Sequence, residues 1–216
     1  FVGISIMPGT FDEMESDVHA PEKFGIYQSV GDTTGPGGLM RALRTIPMFE
    51  EFAAAIREYC PQAWVINYTN PMTVCVKTLY RVFPKIKAFG CCHEVFGTQK
   101  LLGLALEDIK GIQGAQREDL RVNVVGITHF TWLTAAQYKN MDLFPIYREF
   151  ALKYRDEGFG EKADENWLNR FFDSREQVKL DLFLKYGAIA AAGDRHLAEF
   201  CPGSRMKKPH IPGALS

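Results

Sequence analysis

The sequence predicts an α/β fold: a parallel sheet with crossover helices, followed by the start of an α+β region. Three observations predict it. Short apolar, β-rich runs at residues 1–6, 64–68 and 86–89 alternate with helical stretches, which is the order of right-handed crossovers on a parallel sheet. After about residue 111 the texture changes, and residues 121–129 alternate apolar and polar as a half-exposed strand does. The two textures divide the 216 residues into a region 1–110 and a region 111–216.

Each element follows from local chemistry. Residues 1–6 read as a buried strand entered mid-protein. Residues 38–59 carry Leu39, Leu43, Ile46, Phe49, Phe52, Ala53 and Ile56 near a 3.6-residue period, so a helix is expected there, kinked or restarted at Pro47. Asn70 before Pro71 reads as an N-cap followed by proline at the first helical position, with the helix ending near Phe83, ahead of Pro84. In the second region a strand is expected at 132–138 and helices at 144–154 and 174–186, around a charged loop at 156–164. Residues 207–216, rich in Pro and Gly, read as a truncated end.

Composition excludes several classes. Lysine plus arginine number 25 against 26 aspartate plus glutamate, so nothing favours nucleic acid or an acidic membrane. No apolar run is long enough to span a bilayer, and no signal peptide opens the chain. Five cysteines, with Cys91 and Cys92 adjacent, fit a reducing, cytoplasmic setting in which a strained vicinal disulfide is not formed.

Five segments can carry chemistry. Gly90-Cys91-Cys92-His93-Glu94 follows a predicted strand, where a thiolate, an imidazole and a carboxylate can bind a transition metal or move protons. The alternative is a buried cysteine pair with a capping His and Glu. His129, in Gly126-Ile127-Thr128-His129-Phe130, ends a strand among aromatics as a ligand or as a hydrogen-bonded structural residue. Asn67-Tyr68-Thr69-Asn70-Pro71-Met72 turns a strand into a helix and faces the same cleft, unless its polar groups only cap. Gly31-Asp32-Thr33-Thr34-Gly35-Pro36-Gly37-Gly38 is neither a Walker loop nor G-x-G-x-x-G. It admits backbone amides to a ligand or forms a tight turn. Gly193-Asp194-Arg195-His196-Leu197-Ala198-Glu199-Phe200 packs four ionisable residues into six positions, as a site or as a solvated turn.

Taken together, five ordered pieces resemble glycoside hydrolase family four. They are residues 5–10 (Ser-Ile-Met-Pro-Gly-Thr), Thr34-Gly35-Pro36-Gly37-Gly38 with 43–47, Asn67 to Met72, Cys92-His93-Glu94-Val95-Phe96-Gly97, and Gly126 to Phe130. The stretches 92–100 and 192–200 look most like the α-galacturonidase branch. The resemblance implies a Rossmann-like sheet without its first strands, then the start of a domain for substrate binding and oligomerisation. It also implies NAD, a divalent metal such as Mn²⁺, a small uronide as substrate and a homo-oligomer. This family stands outside two-carboxylate glycoside hydrolysis. Its chemistry oxidises the sugar at C3, removes the C2 proton, eliminates the C1 group, adds water and returns the hydride.

The resemblance also implies roles. Cys92 and His129 would hold the metal. His93, a residue type that titrates near neutrality, would be the general acid, where phospho-sugar relatives carry Asp. Asp194 would be the C2 base or its partner, and Asn70, His93, Arg195 and His196 would meet the sugar, with an arginine suited to a uronate carboxylate. Ser5, Met7, Pro8, Asn67 and Asn70 would border the cofactor. The family's glycine-rich dinucleotide turn and ribose-reading acid are not in this chain, and Thr128 stands where the family usually has Asn. An α-glucosidase or α-galactosidase of the same family is the nearest alternative. A lactate/malate-type dehydrogenase is another, but such enzymes need no metal and so no Cys-His pair with a downstream histidine. A binding module without activity is the non-enzymatic reading.

Overall fold

The computed structural model describes residues 1–160 and 175–201. The expected loop at 156–164 and helix at 174–186 therefore fall partly outside the described residues, and the expected truncated end at 207–216 wholly so. Chain packing yields two compact units, one covering Phe1–Cys92 and the other beginning at His93.

The first unit is a three-stranded parallel sheet in the order β1–β2–β3, with β1 at Val2–Ile4, β2 at Trp64–Asn67 and β3 at Lys87–Gly90. The register runs from Val2 opposite Val65 to Asn67 opposite Gly90. Helices α1 (Phe11–His19), α2 (Gly35–Tyr59) and α3 (Met72–Val82) connect the strands. Ile4, Phe49, Ala53, Ile56, Val65, Cys75, Leu79 and Ala88 form the core between sheet and helices. Each such apolar side chain taken from water contributes roughly 1.5–3 kcal/mol when large.

Three expectations are corrected here. Helix α2 runs unbroken through Pro47. Proline removes one hydrogen bond, to the carbonyl of Leu43, but Pro47 and Leu43 lie on the exposed face, where water can take that carbonyl. The buried stripe of α2 is also Ala42, Thr45, Phe49, Ala53 and Ile56, whereas Leu39 and Leu43 are exposed. At the other helix start, Pro71 rather than Asn70 holds the N-cap position of α3, and the Asn70–Pro71 bond is cis. Asn70 does not cap: its Nδ2 donates to Asp32 Oδ2 at 3.1 Å, and its Oδ1, the atom a cap would use, makes no hydrogen bond.

The glycine-rich loop packs backbone against backbone. A Cβ on Gly37 would lie 2.8 Å from the Gly31 carbonyl oxygen, and one on Gly38 would lie 2.6 Å from the Thr33 carbonyl carbon. Buried Gln28 staples the turn, accepting from the Gly37 amide at 2.8 Å and donating to the Asp17 carbonyl at 2.8 Å. Arg44 of α2 pairs with Asp17 of α1 below it.

The second unit is antiparallel. Strands β4 (Leu120–Ile127) and β5 (Phe130–Tyr138) form a hairpin, and β6 (Met141–Asp142) and β7 (Ile189–Ala190) both pair with β5. Helices α4 (Glu94–Lys110), α5 (Phe144–Tyr154), α6 (Gln177–Tyr186) and α7 (Asp194–Phe200) complete it. Its core gathers Leu102, Leu106, Leu133, Tyr147, Phe150, Leu180 and Phe183. Tyr147 meets Phe183 edge-on, with ring centroids 4.8 Å apart, the geometry the aromatic quadrupole favours. A parallel sheet with helices followed by an antiparallel domain is the architecture expected from the sequence. Among the described residues no helix is long and apolar enough to cross a membrane.

Candidate active site

In the first unit the strand ends converge on one edge. Beyond β1 come Ser5 and Met7, both exposed, and then buried Pro8. The Ile6 amide donates to Thr69 Oγ1 at 3.0 Å and the Tyr68 amide to the Ile4 carbonyl at 2.8 Å. Asn67 is fully buried, and Thr69 uses both ends of its amide: Oδ1 accepts from the Thr69 amide and Nδ2 donates to the Thr69 carbonyl, each at 3.0 Å. That closed loop shapes the turn and presents Asn70.

Asn70 is held from two sides, by Asp32 and by Arg41, whose Nε donates to the Asn70 carbonyl at 3.3 Å. Its Oδ1 is buried and has no hydrogen-bond partner. A buried acceptor left unpaired costs about 1–3 kcal/mol, which a ligand hydroxyl or amide donor would recover. On the same edge the Cys91 amide donates to the Asn67 carbonyl at 2.9 Å, and Cys92 follows with its side chain exposed. Gly90 before them lets Met72 pack closely, since a Cβ there would lie 2.4 Å from Met72 Cγ and would displace that side chain.

The second unit has its own polar cluster, at the tip of the β4–β5 hairpin. Ile127 pairs with Phe130, so Thr128 and His129 form a two-residue turn. Thr128 has φ +47°, a left-handed conformation that a β-branched residue tolerates badly and Asn far better. The structure thus gives a physical reason for Asn at that position in the family pattern. We expect Thr128→Asn to raise stability by about 1 kcal/mol, read as an upward Tm shift of a few degrees in a thermal melt.

His129 is only 4 % exposed and stacks on His196, the ring centroids 3.6 Å apart and the planes 16° from parallel. A ring nitrogen of each histidine and a carboxylate oxygen of Glu199 lie within 4.8 Å of one another. Glu94, the first residue of α4, reaches the same place. Its Oε2 accepts from the Gly193 amide at 2.8 Å, and its Oε1 lies 3.9 Å from His196 Nε2. The Cys-His-Glu segment and the Gly-Asp-Arg-His segment, 99 residues apart at that bond, therefore meet through Glu94 and His196. His93, at the N-cap of α4, makes no side-chain cap and is exposed. The capping reading of this His and Glu does not hold. The solvated-turn reading of residues 193–200 does not hold either, because they form α7 and Leu197 on it is fully buried.

Asp194 opens α7 and accepts from the Lys179 amide at 2.9 Å. Burial, reinforced by the negative charge of Glu176, pushes its carboxyl up to about 6, against the opposing backbone donors and the Lys179 ammonium. Lys179 is 3 % exposed, paired with Glu176 at 2.9 Å and bonded to Thr98 Oγ1 at 3.0 Å. The sign follows directly. A carboxyl whose folded value lies above its unfolded one binds a proton on folding, so stability is greatest below pH 4 and is lost as pH rises through about 6. As a base the same group is competent only when ionised, so activity that depends on it rises through about pH 6. We expect Asp194→Asn to remove that limb of the kcat/KM–pH profile and to stabilise the fold above pH 6, measured by chemical denaturation.

Two residues were not singled out by role in the sequence: Glu199 and Glu94. The spacing of His196 and Glu199, three apart as neighbours on one helix face are, is the signal that could have found the first. Of the expected site residues, the first unit places Ser5, Met7, Pro8, Asn67, Asn70 and Cys92 along one sheet edge. The second gathers His129, His196 and Asp194 about α7, with Arg195 on the same helix.

A parallel-sheet unit with an asparagine at its strand ends whose Oδ1 is buried without a partner, followed by an antiparallel unit bearing a His/His/Glu cluster, defines a two-domain α/β protein of the Rossmann-like class. The chain belongs to the family 4 glycosyl hydrolases: the family model matches residues 1–107, and the model of the family's C-terminal domain matches residues 124–211. It is 69% identical over 203 residues to an α-galacturonidase of Thermoanaerobacterium saccharolyticum, covering 94% of this chain and 44% of that protein. Among solved structures it resembles lplD of Bacillus subtilis, described as a glucosidase, with a TM-score of 0.89 and 59% identity over 97% of this chain and 48% of the other. A 6-phospho-α-glucosidase from gut microorganisms, solved in complex with NAD and Mn²⁺, shares the fold at 22% identity and a TM-score of 0.69. That match covers 92% of this chain and 42% of the other. The chain spans somewhat under half the length of these relatives.

Proposed function

We propose that the protein hydrolyses α-galacturonides, using NAD and a divalent metal. The observation that carries this reading is the 69% identity to an α-galacturonidase across nearly the whole chain. The donor chemistry fits the two groups. A buried imidazole beside a second imidazole and a carboxylate is a donor set for a divalent transition metal, in which the carboxylate is the donor suited to Mn²⁺. The orphaned Asn70 acceptor, at the carboxyl ends of parallel strands, lies where such sheets take dinucleotides and their substrates.

Cys92 and His129 would hold the metal in this proposal. When bound, NAD and the metal supply oxidation at sugar C3 and stabilisation of negative charge on the C2 and C3 oxygens. The remaining work falls to side chains. Asp194 takes the C2 proton, a task its raised affinity for protons suits. His93 gives a proton to the departing glycosidic oxygen. Asn70 accepts from a sugar hydroxyl through Oδ1, Arg195 pairs with the uronate carboxylate, and His196 orients beside it. Ser5, Met7, Pro8 and Asn67 border the cofactor. The reading carries with it a small uronide as substrate, a homo-oligomeric assembly and a reducing cytoplasmic setting in which five thiols persist.

The test is a substrate comparison on the full-length protein. With NAD and Mn²⁺ present, p-nitrophenyl α-galacturonide should be cleaved with kcat/KM at least about 100-fold above the α-galactoside, the worth of one well-made charge-assisted contact. Preference for the neutral sugar would overturn the galacturonide assignment. Net NADH production from a 2-hydroxy acid would overturn the hydrolase.

A further inference from the structure

A second feature of the unit beginning at His93 is a cleft of about 580 Å³ along α4, within the size range of small-molecule sites. His93, Gly97, Lys100, Leu104 and Glu107 line it, spaced as one helix face over about 21 Å at 1.5 Å per residue. Its far wall is the loop of residues 114–118. Gly103 lets that loop approach, since a Cβ there would lie 3.1 Å from the Ala115 carbonyl oxygen. Gln99 ties the loop down through the Arg117 and Leu120 carbonyls, at 3.3 and 3.1 Å.

The chemistry of the lining is uneven. Two cations, Lys100 and Arg117, and two carboxylates, Glu107 and Glu118, line the cleft, and the Arg117 guanidinium lies over the exposed Phe96 ring, 4.3 Å from its centroid. The stacking holds the guanidinium plane beside the groove. Its carboxylate partner Glu118 is itself exposed, and an exposed pair is worth about 1 kcal/mol or less, so an incoming carboxylate can take its place. Phe96 and Leu104, both exposed on an otherwise amphipathic helix, offer an apolar strip of the kind that pyranose C–H faces cover.

We propose that this cleft binds the leaving-group side of an acidic oligosaccharide, with Lys100 and Arg117 taking the carboxylate of the uronate next to the scissile bond. The inference rests on the proposed activity, which supplies the uronide substrate and its scissile bond and makes His93, part of the cleft's lining, the proton donor to the leaving oxygen.

Binding without turnover separates the two. The full-length protein, free of NAD, is titrated calorimetrically with digalacturonate and with methyl α-galacturonide, which has no second carboxylate. Wild type should bind both, and the double variant Lys100→Met/Arg117→Gln should lose at least about tenfold in affinity for digalacturonate alone, roughly one charge-assisted contact. Wild type that does not bind digalacturonate, equal digalacturonate affinities in wild type and variant, or equal losses for both ligands would each overturn the cleft assignment. The expected binding pattern, in a protein that cleaves neither compound once NAD and Mn²⁺ are added, would overturn the proposed activity and leave the cleft assignment standing.

Discussion

The full-length protein carrying Cys92→Ser or His129→Gln should lose about 10³-fold or more in kcat/KM, with Mn²⁺ affinity falling in parallel. Loss of a partner that merely orients a ligand costs 10–100-fold, so loss of a ligand itself must cost more. The two variants separate the candidate donors. Cys92 is exposed, so serine there should leave the melting temperature unchanged within about 1–2 °C, the mark of a surface substitution. His129 is buried against His196, and glutamine keeps most of the volume while withdrawing the imidazole. Should Cys92→Ser retain activity within fivefold while His129→Gln abolishes it, the protein's ligands are His129 with His196 and Glu199, which already lie within one ion's reach of each other. Mn²⁺ titration followed by electron paramagnetic resonance reads the affinities without relying on turnover.

The second large effect is the dependence on NAD. Hydrolysis by paired carboxylates needs no redox cofactor, and the second unit does hold carboxylates, Glu94 and Glu199, beside its histidines. On the redox account, protein stripped of NAD should lose all but about 10⁻³ of its activity and recover it on adding NAD without any net NADH appearing. Electrostatic terms left behind contribute only about 10³-fold in comparable dissections. Asn70→Ala should raise the NAD or substrate requirement, because it removes a side-chain acceptor that is buried and unpaired at the strand ends of the first unit.

Much of the fold could be read from the sequence because β-rich runs, the Asn70–Pro71 break and the alternating strand before His129 are local signals. What escaped was local chemistry pointing the wrong way. Helix α1, Phe11 to His19, buries only Val18, so it shows almost no apolar period, and its start is set by the Thr10–Glu13 capping box instead. In α2 the expected stripe matches at Phe49, Ala53 and Ile56 but is out of phase in the first half, where Ala42 and Thr45 face inward and Leu39 and Leu43 do not. Strand β7 is two residues long, too short for alternation to register. The site was legible as an ordered set of motifs, each ending a predicted strand or opening a helix. The His129–His196–Glu199 grouping was not, since it depends on β7 docking against Trp132 and Leu133 of β5 and so placing α7 beside the hairpin tip. No spacing rule contains a contact made that way.

The central claim is that the bond is broken by elimination after the C2 proton is removed, and not by direct displacement at C1. Hydrolysis of an α-galacturonide by the full-length protein in D₂O, with the product analysed by proton NMR, tests it most directly. Deuterium at C2 of the released galacturonate is the expected result, and product that retains its original C2 proton throughout would contradict the account.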